Sequence, residues 1–255
     1  MQGLLMSDVA TESYIIPRWP APSQVKAIST TRLHGYSRGA YSSNNLATHV
    51  GDEPETVMKN RRKLQRDAQL PGEPLWLNQV HGNRVIHTER SQTLAEADAA
   101  ISQQPEQICV VMTADCLPVL FSSKDGAQIA AAHAGWRGLL NGILENTIAE
   151  FSQNSNEILA WFGPAIGADY FEVGEEVVSA FVEKHKAAEL AFRPAQQQKK
   201  WLADIYQLAR LRLNAAGVID IYGGGYCTYT DKTRFFSYRR DGVCGRMASL
   251  IWLDK

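Results

Sequence analysis

The most reactive side chains in this sequence belong to one cysteine and two histidines, Cys116, His81 and His133. They lie 35 and 17 residues apart, and both Cys116 and His133 follow apolar runs that we predict to be strands. Such wide spacing excludes the paired ligands of a zinc knuckle and suits a catalytic site with three protein ligands and an open position. An ion held there would lower the pKa of a bound water to about 7 and keep the cysteine ionised.

Simpler explanations exist for each of these residues. A buried cysteine usually behaves as a small apolar side chain, and a histidine at a strand end is commonly a structural one. A metal-free cysteine–histidine nucleophile would also fit. Asp115, beside Cys116, could orient an imidazole or act as a general acid or base, or it could only close a turn. Asp98 is a less distinctive candidate for the same roles.

Arginines near predicted turns are the candidate anion-binding residues. The segment 135–138 (GWRG) leads into a predicted helix, whose free N–H groups would bind an anion beside Arg137, although a tight turn explains its glycines equally well. The segment 238–242 (YRRDG) is a second anion loop or a charged hairpin turn. Arg61 and Arg62 stand in a basic predicted helix, which is either a solvated face or an anion site.

Apolar periodicity predicts the elements that must position these residues. The predicted strands are 25–31, 75–80, 84–88, 107–113, 117–121, 127–132, 158–162, 219–222, 235–238 and 247–253. The predicted helices are 54–70, 139–151, 175–185 and 204–216, and 194–200 is a predicted surface loop. Strands and helices alternate without a regular repeat. This favours an α/β sandwich of the α+β type, with a mixed central β-sheet flanked by helices, over a barrel.

Length and composition narrow the class of protein. The 255 residues fit a single domain over 1–255, with residues 1–13 as a loose N-terminal tail. The net charge is −1, and no basic stripe indicates nucleic-acid binding. Four cysteines without close pairs indicate no disulfide framework, and the sequence shows neither a signal-peptide pattern nor an apolar run of membrane length. We therefore expect a cytoplasmic protein, a monomer or homodimer, that acts on a small molecule.

Six blocks of sequence, in order between residues 26 and 253, resemble the YfiH family, also called laccase-domain or polyphenol oxidase-like proteins. The blocks are NQVHG (78–82), ADA (97–99), TADCLPV (113–119), HAGWRG (133–138), GPAIG (163–167) and SYRRDG (237–242). Their number and order make the resemblance specific over nearly the whole chain. It implies the single-domain sandwich and a zinc centre made by His81, Cys116 and His133.

The resemblance also implies an activity. Members of the family are purine nucleoside phosphorylases that cleave adenosine, inosine and methylthioadenosine with phosphate, and some deaminate adenosine. In that picture Arg61 or Arg62 lies near the phosphate, and Asn45 and Gln79 belong to the substrate pocket. A hydrolase that edits a muramyl-amino-acid precursor of the cell wall is a second possibility within the family. A metal-binding protein without activity is the third, although structural sites normally fill the ligand position that three ligands leave open.

The composition argues against two enzyme classes that are connected with such centres. A multicopper laccase needs many paired histidines, whereas this chain has six and no His-x-His pair, so that only a single copper ion at the cysteine–histidine group is compatible. Zinc nucleobase deaminases combine His-x-Glu with Cys-x-x-Cys. Residues 87–89 (HTE) match the first pattern and no segment matches the second. Any deamination would therefore use a different scaffold.

Overall fold

The structure is a computed structural model and describes residues 12–91 and 93–254. The predicted tail, 1–13, falls mostly outside the described residues. At its end Ser13 is buried, and its carbonyl accepts a hydrogen bond of 2.8 Å from the Thr31 amide. From Ser13 onward the chain is part of the folded body.

The described chain forms thirteen strands in three sheets. In chain order they are β1 (Tyr14–Ile15), β2 (Val25–Thr30), β3 (Val85–His87), β4 (Ala99–Ser102), β5 (Ile108–Thr113), β6 (Leu117–Ser123), β7 (Ile129–Ala134), β8 (Ile158–Phe162), β9 (Glu172–Gly174), β10 (Phe192–Pro194), β11 (Lys200–Ala203), β12 (Asp220–Gly223) and β13 (Met247–Leu253). An antiparallel sheet has the order β1-β2-β13-β5, and a mixed sheet has the order β12-β8-β6-β7-β4-β3. Only β12–β8 and β4–β3 pair in parallel within the mixed sheet. The third sheet has the order β10-β11-β9. The predicted surface loop, 194–200, connects its strands β10 and β11.

Six α-helices connect these strands in the described chain. They are α1 (Pro54–Asp67), α2 (Trp136–Leu140), α3 (Ile143–Ala149), α4 (Glu175–Lys184), α5 (Ile205–Ala215) and α6 (Tyr238–Asp241). The first of these helices packs on the four-stranded sheet through Leu64. The next four contribute to the apolar core on one face of the six-stranded sheet.

Along each central strand, alternate side chains face opposite layers of the fold. Val110 and Leu250 pack on the side of α1, whereas their neighbours Val111 and Ile251 pack against the six-stranded sheet. The strands β6 and β7 alternate in the same way between the other sheet and helices α2 to α5. Strands covered on both faces appear in sequence as continuous apolar runs. The predicted α/β class with a mixed sheet is confirmed, and the structure adds a second sheet on one face of it.

Three predicted elements differ from the structure. The predicted helix 139–151 is divided between α2 and α3, because Gly142 adopts a left-handed φ of +91°. The predicted strand 75–80 forms only the isolated bridges Leu75↔Cys109 and Asn78↔Glu96. The described chain has no strand at 235–238 either.

Hydrogen bonding and capping explain the error at 235–238. The Phe235 amide donates to the Asp231 carbonyl (3.0 Å) and the Phe236 amide to Met247 Sδ (3.1 Å), so neither amide joins a strand ladder. Ser237 then caps α6 by accepting a hydrogen bond from the Arg240 amide (3.2 Å). The segment YRRDG is therefore a short helix rather than a hairpin turn.

Candidate metal centre

Antiparallel pairing of β6 with β7 brings Cys116 and His133 together. Cys116 directly precedes β6, and His133 lies near the end of β7, opposite Pro118. In an antiparallel pair the beginning of one strand lies beside the end of the other. The two residues therefore meet at one end of the central strand pair.

His81 approaches these two residues from the turn before β3. Its backbone is left-handed, with a φ of +61°. The His81 Nε2 atom lies 3.8 Å from Cys116 Sγ, and the centroids of the two imidazole rings are 4.8 Å apart. The potential ligand atoms of the three residues all lie within 4.8 Å of one another. The structure thus brings together the cluster that the sequence predicted.

The buried carboxylate of Asp98 holds both histidines of this cluster. Its Oδ1 accepts hydrogen bonds from His133 Nδ1 (2.7 Å) and from the His81 amide (2.9 Å). Its Oδ2 accepts from the amides of Val80 (3.2 Å) and Gly82 (2.7 Å). A histidine that donates through Nδ1 presents Nε2 as its free ligand atom. Asp98 therefore sets the tautomer of one histidine and the turn that carries the other.

Cys116 and His133 perturb each other electrostatically. Burial by itself would raise the pKa of Cys116, but the neighbouring His133 and His81 lower it to about 6. Burial likewise disfavours the imidazolium form of His133, whereas Cys116 and Asp98 raise its pKa to about 9. In the absence of a metal ion, these shifts favour a thiolate–imidazolium pair near neutral pH.

The donor set and its surroundings fit a divalent ion. Zinc–ligand bonds of about 2.0–2.3 Å place neighbouring atoms of a tetrahedral site roughly 3.5 Å apart, close to the 3.8 Å between Cys116 Sγ and His81 Nε2. Gly135 lies against the cluster, and a Cβ atom there would come within 2.8 Å of His81 Cδ2 and 3.0 Å of Cys116 Sγ. The glycine therefore keeps the space beside the ligands free. Among the described residues this is the one such cluster of potential ligands.

The carboxylate of Asp115 connects Cys116 to two distant segments. Its Oδ1 accepts a hydrogen bond from Thr228 Oγ1 (2.6 Å), and its Oδ2 accepts one from the Arg239 amide (2.7 Å). Its φ of +94° is unusual for a residue other than glycine. This arrangement suits a residue that positions its neighbours, and the predicted role of Asp115 in catalysis stays a prediction.

A cavity of about 240 Å³ lies beside the cluster. His81, Asp115 and Cys116 contribute to one part of its wall. The remaining lining includes apolar and aromatic side chains and two arginines, namely Trp136, Arg137, Ile166, Phe171, Ile205, Tyr238 and Arg239. Such a mixture of apolar walls with a few polar groups is typical of small-molecule sites.

The structure places two predicted pocket residues in contacts with the main chain. The Asn45 amide group bonds with both backbone groups of Ala47 and also with Asp52 and the Arg246 amide. Gln79 pairs through its Oε1 and Nε2 with the amide and carbonyl of Met112. The bonds of Gln79 brace the segment that carries His81, those of Asn45 hold its own loop, and contact of either residue with substrate stays a prediction.

The three predicted phosphate-binding arginines lie in different places. Arg137 lines the cavity, with its guanidinium 4.5 Å from the Trp136 ring. Arg61 donates from Nε to the Leu46 carbonyl (2.9 Å) and lies 3.7 Å above the ring of Trp76. Burial lowers the pKa of Arg61 to about 10. Arg62 is exposed on α1.

Several residues of the cavity wall were not among the predicted site residues. Tyr238 and Arg239 stand in the segment that the sequence indicated as a second anion loop, and Ile166 stands in the GPAIG block. No sequence pattern indicated Phe171 and Ile205, because an apolar residue in a cavity wall cannot be distinguished in sequence from one in the core.

Together the layers and the cluster define a class: α/β proteins with a cysteine–histidine group of potential metal ligands beside a cavity. The chain belongs to the family described as multi-copper polyphenol oxidoreductase laccase, whose sequence profile matches residues 26–254. It is 52% identical over 240 residues to the Escherichia coli protein "Purine nucleoside phosphorylase YfiH", covering 94% of this chain and 98% of that protein. A Haemophilus influenzae protein named "Purine nucleoside phosphorylase" is 49% identical, with 94% and 99% covered. The names of these relatives support an enzymatic role.

Solved structures agree with this assignment. Neisseria meningitidis protein NMB0706 superimposes with a TM-score of 0.91 at 50% identity, covering 95% of this chain and all of the other. YlmD from Geobacillus stearothermophilus gives a TM-score of 0.84 at 28% identity, covering 91% and 93%. None of the helices in the described residues has the length and apolarity to cross a membrane.

Proposed function

We propose that this protein is a zinc-dependent purine nucleoside phosphorylase. It would cleave the glycosidic bond of adenosine, inosine and methylthioadenosine with inorganic phosphate, with deamination of adenosine as a minor activity. The observation that carries the proposal is the convergence of His81, Cys116 and His133 beside a cavity with aromatic and cationic walls. The activity named for the relatives that cover nearly the whole chain agrees with it.

The residues of the chain divide into those that hold the ion and those that hold substrate. His81, Cys116 and His133 would bind zinc, which when bound supplies a Lewis acid and lowers the pKa of its water. The rings of Trp136 and Tyr238 offer stacking surfaces for a purine base. Holding base, sugar and phosphate in one small cavity would supply the proximity that phosphorolysis requires.

A phosphorolysis assay tests the proposal directly. Adenosine and phosphate should yield adenine and ribose 1-phosphate, and Cys116→Ala and His133→Ala should each abolish the yield. His87→Gln is the matched control, since His87 bonds with Glu150 outside the cluster (2.9 Å). Free ribose as the sugar product, or no release of base from adenosine and inosine, would contradict the proposal. Inosine formed from adenosine reports the deamination.

Metal analysis of the same preparations tests the choice of ion. The protein purified without added metal should contain about one zinc per chain, and the two inactive variants should have lost it. Anomalous diffraction at the zinc and copper edges would identify the ion at the cluster. Copper as the ion that supports turnover would contradict the zinc assignment while leaving the three ligands in place.

A further inference from the structure

Two adjacent arginines in the SYRRDG segment have very different surroundings. Arg240 donates to the main-chain carbonyls of Thr228 (2.7 Å) and Phe235 (3.0 Å) and pairs with Asp241. Its guanidinium is therefore committed to holding the loop together. Arg239 is exposed and lines the cavity beside Cys116.

The position of Arg239 is fixed mainly through its backbone. Its amide donates to Asp115 Oδ2 (2.7 Å), one residue from Cys116. Its guanidinium donates from Nη1 to the Tyr170 carbonyl (3.2 Å) and lies 5.7 Å from the ring of Phe171. A guanidinium has five N–H donors, so this single hydrogen bond leaves most of them available to a ligand.

Two arginines contribute to the cavity wall. Arg137 and Arg239 both line it, and Asp115 is the one acidic residue in the described lining. Both Asp115 oxygens already accept hydrogen bonds, from Thr228 and from the Arg239 amide. A guanidinium group matches the geometry of phosphate oxygens, and the wall of this cavity contains two such groups.

We propose that Arg239, together with Arg137, binds the phosphate group of the ligand in this cavity, and that Asp115 is the residue that positions Arg239 relative to Cys116. The other candidates are less suited. Neither Arg61 nor Arg62 belongs to the lining of this cavity: Arg61 lies on the Trp76 ring and Arg62 on the exposed side of α1. That the phosphate is a co-substrate rests on the proposed function, whereas the cationic site does not depend on it.

Binding of inorganic phosphate to the metal-loaded protein, measured by calorimetry, tests this site. Arg239→Gln should weaken phosphate binding about tenfold or more, because it removes a charged donor, and Arg239→Lys should restore part of it by keeping the charge without the fork. Arg66→Gln is the matched control, since the Arg66 side chain is 67% exposed on α1. In the phosphorolysis assay, Arg239→Gln should raise the KM for phosphate and leave the KM for adenosine and the zinc content unchanged.

The outcomes separate this inference from the proposed function. Equal phosphate affinity in wild type and Arg239→Gln would overturn it, as would an equal loss in Arg66→Gln. Loss of phosphate binding only in Arg239→Gln, with no phosphorolysis by the wild type, would support the site and reject the proposed reaction. Adenosine 5′-monophosphate is the second probe. Suppose that it binds the wild type, binds Arg239→Gln more weakly, and that inorganic phosphate does not bind the wild type. The phosphate bound at Arg239 is then that of a nucleotide.

The positioning role of Asp115 has its own test. Asp115→Ala removes both carboxylate oxygens, which accept from Thr228 Oγ1 and from the Arg239 amide. It should raise the KM for phosphate in the same direction as Arg239→Gln. An unchanged phosphate affinity in a folded, zinc-containing Asp115→Ala protein would reject the positioning role.

Discussion

Cys116 is subject to two opposing influences at the scale of single residues. Burial removes water from the sulfur and disfavours the thiolate, whereas the adjacent His133 and His81 favour it. The imidazoles prevail, because a charge partner within contact distance outweighs the loss of solvent. The cysteine is therefore prepared as a ligand before any ion binds.

The first prediction concerns the pH dependence of this cysteine in the metal-free protein. Because its pKa is lowered to about 6, the thiolate should persist at neutral pH, where an ordinary cysteine is mostly protonated. Alkylation of Cys116 by iodoacetamide, followed by peptide mass spectrometry, should accelerate as the pH rises through about 6 and then level off. In His133→Ala the midpoint should move up. A wild-type midpoint at or above about 8.5 would contradict the proposed influence of the histidines.

The second prediction concerns Asp98. Asp98→Asn replaces one carboxylate oxygen with an N–H group, which must face two of the four donors that Asp98 now accepts from. We expect zinc affinity to fall about 10- to 100-fold, as for other carboxylates that orient a metal-binding histidine. Competition with a chelator of known affinity measures this loss.

A surface carboxylate provides the control for Asp98. Glu55→Gln makes the same chemical change on the exposed side of α1 and should leave zinc affinity unaltered. Equal affinities of Asp98→Asn and wild type would show that the histidines keep their orientation without the carboxylate.

At the scale of elements, turns determine the geometry of the cluster. His81 and Asp115 have positive φ values, and Gly135 connects β7 to α2 within contact of the ligands. The strands bring these turns to one end of the sheet, but the turns direct the side chains. Small changes in a turn should therefore affect the centre more than they affect stability.

The third prediction uses Gly135. In Gly135→Ala the new methyl group would meet His81 Cδ2 at 2.8 Å and Cys116 Sγ at 3.0 Å, so the ligands must move apart. We expect zinc content and phosphorolysis to fall by about tenfold or more, since a displacement near 1 Å can cost a hundredfold in rate. Gly225→Ala is the control, because a Cβ there meets no atom within 4 Å. Full zinc content in Gly135→Ala would mean that the cluster adapts to the methyl group.

At the scale of the whole molecule, the cluster joins parts of the chain that the fold alone brings together. It connects the turn before β3 with the central strands β6 and β7 of the six-stranded sheet. An ion at this junction binds the folded chain and not the extended one, so its binding free energy adds to the free energy of unfolding.

The fourth prediction follows from this linkage. Free zinc at a hundred times its Kd should stabilise the protein by roughly 2.7 kcal/mol, which corresponds to an increase in Tm of about 5–10 °C for a chain of this size. Calorimetry of the chelator-treated protein before and after zinc addition measures the shift. The triple variant His81→Ala, Cys116→Ala, His133→Ala should show no shift, and an equal shift in that variant would place the stabilising ion elsewhere.

Local sequence patterns predicted much of the fold. The strands at 108–113, 117–123, 129–134, 158–162 and 247–253 lie where apolar runs predicted them, because burial on both faces leaves such runs in the sequence. The break at Gly142 and the irregular segment at Phe235–Phe236 were not predicted. In both places the local backbone conformation and its hydrogen bonds override the periodic pattern.

The sequence by itself determined the reactive side chains, the α/β class and the family, since these depend on residue types and on patterns between near neighbours. Only the tertiary structure decided that a second sheet covers the first, that Asp98 holds both histidines, and that Arg239 lines the cavity while Arg61 lies on Trp76. A continuous apolar run shows that both faces of a strand are covered, but not by what. Hydrogen-bond partners and cavity walls come from residues far apart in the chain, and their distances are set only when the sheets pair and pack.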